Sequence, residues 1–175
     1  MRRWLDDTKL ALESPHPNTL EQLSARGTWT DAFGYVALSA FLTALMGFRT
    51  GWHGMLAIFV LTILAYGVFV VVTYIAALRQ DGDGQLEGIA YATALFWAVV
   101  APFTALLPFV FGGAWIPAAI LVQAFTASTY ALRVLNGTVW MNYNAQWNAM
   151  TAGIAAASIT VLLISFTLFA PLLRG

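Results

Sequence analysis

From Gly88 to Leu132 the chain runs 45 residues without one Asp, Glu, Lys, Arg or His, and residues 54–78 and 134–173 lack them equally. A soluble domain of 175 residues has no interior large enough to hide so much apolar length. A bilayer has, because its hydrocarbon core takes about 20 apolar residues per helical crossing. The chain therefore reads as all-α, a polytopic transmembrane helix bundle.

The totals agree with that reading. Hydrophobic residues are 60% of the chain and charged residues 9%, against about 45–50% and about 25% in ordinary soluble domains. No room is left for a separate soluble domain of normal size. Eight basic and eight acidic residues cancel, so there is no basic field to recruit nucleic acid. The absence of cysteine excludes disulfides, thiolate metal sites and a cysteine nucleophile. Basic charge is nearly all arginine, with Lys9 the one lysine. That bias fits a GC-rich bacterial genome, and the expected location is the cell inner (plasma) membrane. Arg2 and Arg3 are followed by Trp4-Leu5-Asp6-Asp7 rather than by an apolar run. Neither a cleavable signal peptide nor a twin-arginine signal is expected, and the apolar stretch from Ala32 would act as an uncleaved anchor.

Residues 1–29 are the one extended polar segment, expected in the cytoplasm with short interfacial helices; residues 30–175 form the transmembrane domain. A helix is predicted over Arg2–Glu13, stopped by Ser14-Pro15-His16-Pro17. Asn18 with Glu21 three residues on has the form of a capping box. It predicts a short helix over Thr19–Ala25, with Gly27 just past its end. Leu20 and Leu23 share one side, which suits a helix lying on the membrane surface or a solvated tail.

Five spans are expected: Asp31–Phe48, Met55–Leu78, Gly88–Phe111, Trp115–Leu135 and Ala149–Leu173. Gly51-Trp52-His53-Gly54 reads as a tight turn and Asp81-Gly82-Asp83-Gly84 as a polar loop. Gly112-Gly113 reads as a hinge. Asn136–Asn148 reads as a headgroup-level loop, because Trp140, Tyr143 and Trp147 are interleaved with uncharged polar residues. Pro102 and Pro108 predict a kink or break in the third span. Pro117 falls in the first turn of the fourth, where proline is tolerated. With the N-terminus in the cytoplasm, that side carries Arg2, Arg3, Lys9, Arg26, Arg79 and Arg133, and the other carries Arg49 and Arg174. The excess supports N-in, C-out by the positive-inside rule. A four-span alternative makes the Pro-containing third segment re-entrant.

No Asp or Glu lies inside a span; Asp31 only opens the first. Coupled proton transport usually needs an ionisable group within the membrane, so a proton-driven transporter or pump is not expected. Counted from Asp81, an EF-hand would need glycine at the sixth place and glutamate at the twelfth. Leu86 and Ala92 stand there, and the loop reads as a solvated turn. His16 and His53 sit in different polar segments, and Met46, Met55, Met141 and Met150 near span ends, so no haem or metal site is expected. No serine lies in a nucleophile motif and no glycine-rich phosphate loop follows a strand. No cofactor and no catalytic residue is assigned, and the chain does not read as an enzyme.

Small residues four apart form the clearer pattern. Ala40 and Ala44, Thr43 and Gly47, Ala124 and Ser128, Ala127 and Ala131, and Gly153 and Ala157 each fall on one helix face. Such pairs let backbones approach closely in lipid, either within the bundle or at an interface with a second copy or a membrane partner. Polar groups inside spans form another pattern: Thr62, Tyr66 and Thr73 in the second, Thr93 and Thr104 in the third, Gln123, Thr126 and Tyr130 in the fourth. Gln123, Thr126 and Tyr130, with Pro102 and Pro108 of the third span, define a candidate polar groove for a lipid headgroup or small solute. The competing reading has such groups bonded between helices, worth about 0.6 kcal/mol each. Arg133 would snorkel to the headgroups.

Pro17-Asn18-Thr19-Leu20-Glu21-Gln22-Leu23 leads through Arg26-Gly27-Thr28-Trp29 into the first span. Gly82-Asp83-Gly84-Gln85 leads into Tyr91-Ala92-Thr93-Ala94-Leu95-Phe96 and a Pro-containing third helix. Over about residues 15–173 this layout resembles the bacterial branch of the Yip1 family of membrane proteins. The resemblance implies five membrane helices and a cytoplasmic N-terminus. Eukaryotic relatives are associated with vesicle traffic, small GTPases and membrane shaping, whereas the bacterial members have no settled biochemical role. The chain lacks the long cytosolic region and the Asp-Leu-Tyr-Gly-Pro stretch of the eukaryotic relatives, so no GTPase contact is implied, and the family supplies no catalytic residues.

The function expected is that of a non-enzymatic integral membrane protein: a scaffold, a membrane-organising protein or a subunit of a larger membrane assembly. Its partners would be membrane lipids and a second copy or another membrane protein. The alternative is a passive lipid or small-solute pathway, scramblase-like or channel-like, built on the Pro-containing third span and the polar face of the fourth.

Overall fold

The computed structural model describes residues 2–14, 16–48, 51–82, 84–112, 118–119, 122–123, 125–126 and 143–169. Its helices are α1 (Arg2–Glu13), α2 (Pro17–Ser24), α3 (Trp29–Met46), α4 (Gly51–Leu78), α5 (Leu86–Phe111) and α6 (Tyr143–Phe169). No strand occurs among the described residues. α3, α4, α5 and residues 144–164 of α6 are each long and apolar enough to cross a bilayer. The described residues are all-helical, and their apolar helices are those of a membrane protein.

Several helix starts differ from the sequence reading. α2 begins at Pro17, with His16 as its N-cap and no side-chain cap bond, so Asn18 and Glu21 are not its capping box. Proline suits a first helical turn, where its missing N–H has no partner to lose. Gly51-Trp52-His53-Gly54 is the first turn of α4 rather than a separate turn. Gly51 has φ 72°, a conformation that glycine adopts without steric cost, and the helix follows directly. α6 begins at Tyr143, and residues 143–148 are helix, not a headgroup-level loop. The Gln80 amide holds them against the end of α4: its Nε2 donates to Ala145 O at 3.4 Å, and its Oε1 accepts from Asn148 Nδ2 at 3.1 Å.

α5 runs unbroken through Pro102 and Pro108. Membrane helices tolerate proline because neighbouring groups and local adjustments re-satisfy the freed backbone. Between the two prolines the Thr104 hydroxyl lies 3.1 Å from Val100 O and 3.0 Å from Ala101 O.

α4 packs along α6, α3 packs along α5 and also against α4, and α1 and α2 both rest on α5. One apolar core joins Ala11, Leu20 and Leu23 of the N-terminal helices to Ala32, Val36, Phe69, Val70 and the Ile89–Trp97 stretch. The shared side of Leu20 and Leu23 is thus buried against protein, at 2% and 0% exposure. Outward-facing Phe33, Val71, Leu162 and Leu163 stay exposed, as side chains in contact with lipid should be.

The two ends of the bundle differ. At one, the Trp29 N–H opening α3 donates to the Glu87 carboxylate opening α5, beside the end of α4 and the start of α6. Asp6, Asp7, Glu13, Glu21, Asp31, Asp81 and Glu87 all belong to segments at this end. At the other end the rings of Phe48 and Phe109 lie 5.9 Å apart.

Candidate functional site

The N-terminal helices are clamped onto the spans by a cluster the sequence did not announce. Tyr91, fully buried on α5, donates its hydroxyl to Asp7 Oδ2 at 2.5 Å. The next residue on α1, Thr8, donates to the Tyr35 hydroxyl at 3.1 Å. The Tyr35 and Tyr91 rings meet edge to face, with centroids 6.3 Å apart, a favoured aromatic geometry. Two glycines make the approach possible. A Cβ on Gly27 would stand 2.1 Å from the Tyr91 ring, and one on Gly88 would stand 3.1 Å from Ser24 Cβ.

The start of α3 completes the cap. Thr28 Oγ1 accepts from Asp31 N at 3.2 Å and donates to Asp31 Oδ2 at 2.8 Å. Glu87 Oε1 accepts from Trp29 N at 2.8 Å. Two otherwise unpaired helix N–H groups are thereby satisfied, one locally and one by a carboxylate 58 residues away. What the cluster does physically is fasten α1 to α5: a phenol hydroxyl bonded to a carboxyl group is a short, strong contact.

Next to this cluster on α5, Tyr66 of α4 donates to Ala90 O, and its hydroxyl lies 3.2 Å from Thr93 Oγ1. Trp97 packs edge-on to Tyr66 and stacks on Phe69, with centroids 5.6 and 5.7 Å away. Three buried polar atoms have no hydrogen-bond partner among the described residues: Ser39 Oγ, Thr73 Oγ1 and Trp97 Nε1.

The residues singled out from the sequence fall as follows. Ala40 and Ala44 are buried on α3, and a Cβ on Gly47 would stand 2.3 Å from Ile58 Cδ1 of α4. Gly153 and Ala157 are buried on α6. A Cβ on Gly153 would stand 1.9 Å from Thr73 Oγ1 and 2.8 Å from Phe69 O. Gln123 Oε1 accepts from Thr104 Oγ1 at 3.1 Å, and Thr126 donates to its own Val122 O at 2.6 Å. Pro102 is half-buried on α5 and Pro108 lies in the same helix. Ala124, Ala127, Ser128, Tyr130, Ala131 and Arg133 lie outside the described residues. The structure thus brings Gln123 to Thr104, and Gly153 to Thr73.

Asp7 escaped the sequence reading because a carboxylate on a polar segment looks solvated. The signal was its spacing: Asp7 shares a helix face with Ala11, four residues on. Among the described residues no three His, Asp or Glu side chains come together as a metal site. Compared with protein-family models, curated proteins and solved structures, the chain matches none.

Proposed function

We propose that the protein works by interaction, as a multi-span scaffold, membrane-organising protein or subunit of a larger membrane assembly in the cell inner membrane, and that it is a five-span relative of the bacterial Yip1 branch with its N-terminus in the cytoplasm. The observation that carries this reading is the clamped α1–α2 cap. Polar N-terminal helices fastened by Leu20, Leu23 and the Tyr91–Asp7 bond form a fixed platform rather than a tail. Lys9, Glu13, Glu21, Arg26, Arg79 and Asp81 are exposed at that end, a mixed-charge surface suited to docking another protein.

Five crossings draw support from where the helices begin and end. α5 finishes beside Phe48, whereas α6 starts beside Gln80 at the opposite end of the bundle. A return crossing by the intervening chain is the reading that connects these two ends. Helical residues 118–119, 122–123 and 125–126, with Gln123 bonded to Thr104, agree with a fourth span packed on α5.

A passive pathway through a polar groove has less behind it, because Gln123 Oε1 is bonded to Thr104 and the Thr126 hydroxyl to Val122 O. Native mass spectrometry of protein released from its own membrane in mild detergent tests the interaction reading. A homo-oligomer or a co-purifying subunit in fixed stoichiometry is expected; a strict monomer at every protein concentration overturns it.

A further inference from the structure

The wall between α3 and α4 carries a slot of about 160 Å³, formed by Trp29, Ala32 and Val36 on one side and Ile63, Gly67 and Val70 on the other. These residues recur every three or four positions, so the slot follows the helix axes for about 11 Å at 1.5 Å per residue. Its floor is Gly67. Unlike Gly27 or Gly153, Gly67 touches nothing: an added Cβ would meet no atom within 4 Å. Glycine here does not let two helices close up; it leaves a gap in the wall. The one polar side chain of α4 in the lining, Tyr66, turns its hydroxyl onto Ala90 O of α5. The slot opens sideways past Phe33 and Val71, both exposed on the bilayer face.

We infer that this slot is a binding site for one acyl chain of a membrane phospholipid, drawn from the leaflet at the charged end. The upper end of the slot is Trp29, half-exposed at the start of α3, and an indole ring prefers headgroup level. A phospholipid whose headgroup is level with Trp29 therefore sends its chain down the slot, parallel to the helices. A water-soluble ligand would find no charge and no available polar group in the lining. A second copy of the chain would need far more contact than two helical turns, since stable protein interfaces bury about 1,200 Å² or more. The inference stands apart from the interaction reading and does not rest on it.

The test uses the full chain in phosphatidylcholine nanodiscs containing a phospholipid with a photoreactive diazirine near the middle of one acyl chain. Cross-links are expected to concentrate on peptides containing Ala32–Val36 and Ile63–Val70. Gly67→Leu fills the slot and should cut that labelling several-fold, while Leu64→Phe, one turn away on the lipid face, leaves it unchanged. Labelling spread evenly over all lipid-facing peptides of the wild-type protein overturns the inference, whether or not Gly67→Leu folds. So does a wild-type dimer in native mass spectra that Gly67→Leu abolishes, because a second copy then fills the slot.

Discussion

The Tyr91 hydroxyl donates to the Asp7 carboxylate across 2.5 Å, joining residues 84 apart in the chain, and both side chains are buried. Asp7 is 5% exposed, so water does not readily replace a lost partner. Tyr91→Phe removes one hydrogen bond to a carboxylate, worth about 1.5–3 kcal/mol. The loss should fall on the cap first. Trypsin is expected to cut after Lys9 and Arg26 sooner in the variant, while the fragment carrying α3 to α6 keeps its thermal midpoint nearly unchanged. Tyr91→Phe combined with Asp7→Leu should cost less than the two single changes summed, because it leaves no buried polar group behind. Proteolysis at the wild-type rate would show that the Tyr91–Asp7 bond adds nothing to holding the cap.

Gly153 and Gly67 predict opposite responses to the same substitution. At Gly153 a methyl group collides with Thr73 Oγ1 and with the backbone oxygen of Phe69. A side chain can rotate away, but a carbonyl inside a helix cannot, so Gly153→Ala should separate α4 from α6 and destabilise by about 1–3 kcal/mol. At Gly67 the methyl enters open space, and Gly67→Ala should stabilise by up to about 1 kcal/mol through helix propensity alone. Unfolding of both variants in mixed micelles, measured by circular dichroism, reads the two signs. Thr73→Val removes a hydroxyl that has no partner among the described residues and should be neutral or stabilising.

Four of the five expected spans were legible because charge is excluded from them: the uncharged runs end at Arg79 and Glu87, as do the helices to within a turn or so; the expected fourth span, Trp115–Leu135, lies largely outside the described residues. The Arg2–Glu13 helix was legible from its proline stop. What stayed hidden depends on contacts distant in sequence. A Leu20/Leu23 stripe reads the same whether it faces a membrane or another helix, and only the position of α5 decides between them. Gly27 and Gly88 look like ordinary turn and helix-start residues until Tyr91 and Ser24 are placed against them. The prolines went half the other way. Pro102 and Pro108 carry a strong local signal for a kink or break, but α5, packed along α3, runs through both without a break.

Glu87 caps a helix to which it does not belong. Its Oε1 accepts from the Trp29 N–H, and its place in the first turn of α5 also favours a negative charge. Glu87→Gln keeps an acceptor oxygen and should cost little, whereas Glu87→Ala loses the cap and should cost about 0.5–2 kcal/mol. Thr28→Ala removes the local cap on Asp31 N and should cost a similar amount. The thermal midpoint of each variant in detergent checks the order. Equal midpoints for Glu87→Gln and Glu87→Ala would mean that the bond to Trp29 contributes nothing.

The chain contains no cysteine, so single cysteines can report sidedness without background. Ser14, Asp81 and Asn144 belong to the charged end and His53 to the other; Asp81, Asn144 and His53 are exposed. With the N-terminus in the cytoplasm, a membrane-impermeant maleimide added to intact spheroplasts should label His53→Cys and spare the other three. Inverted vesicles should reverse the pattern. Asn144→Cys is the decisive position. Five crossings put it on the same side as Asp81→Cys, because the chain returns across the bilayer between Phe111 and Tyr143. Four crossings, with the Pro-containing third segment re-entrant, put it on the same side as His53→Cys, and labelling there would overturn the five-span relationship proposed above.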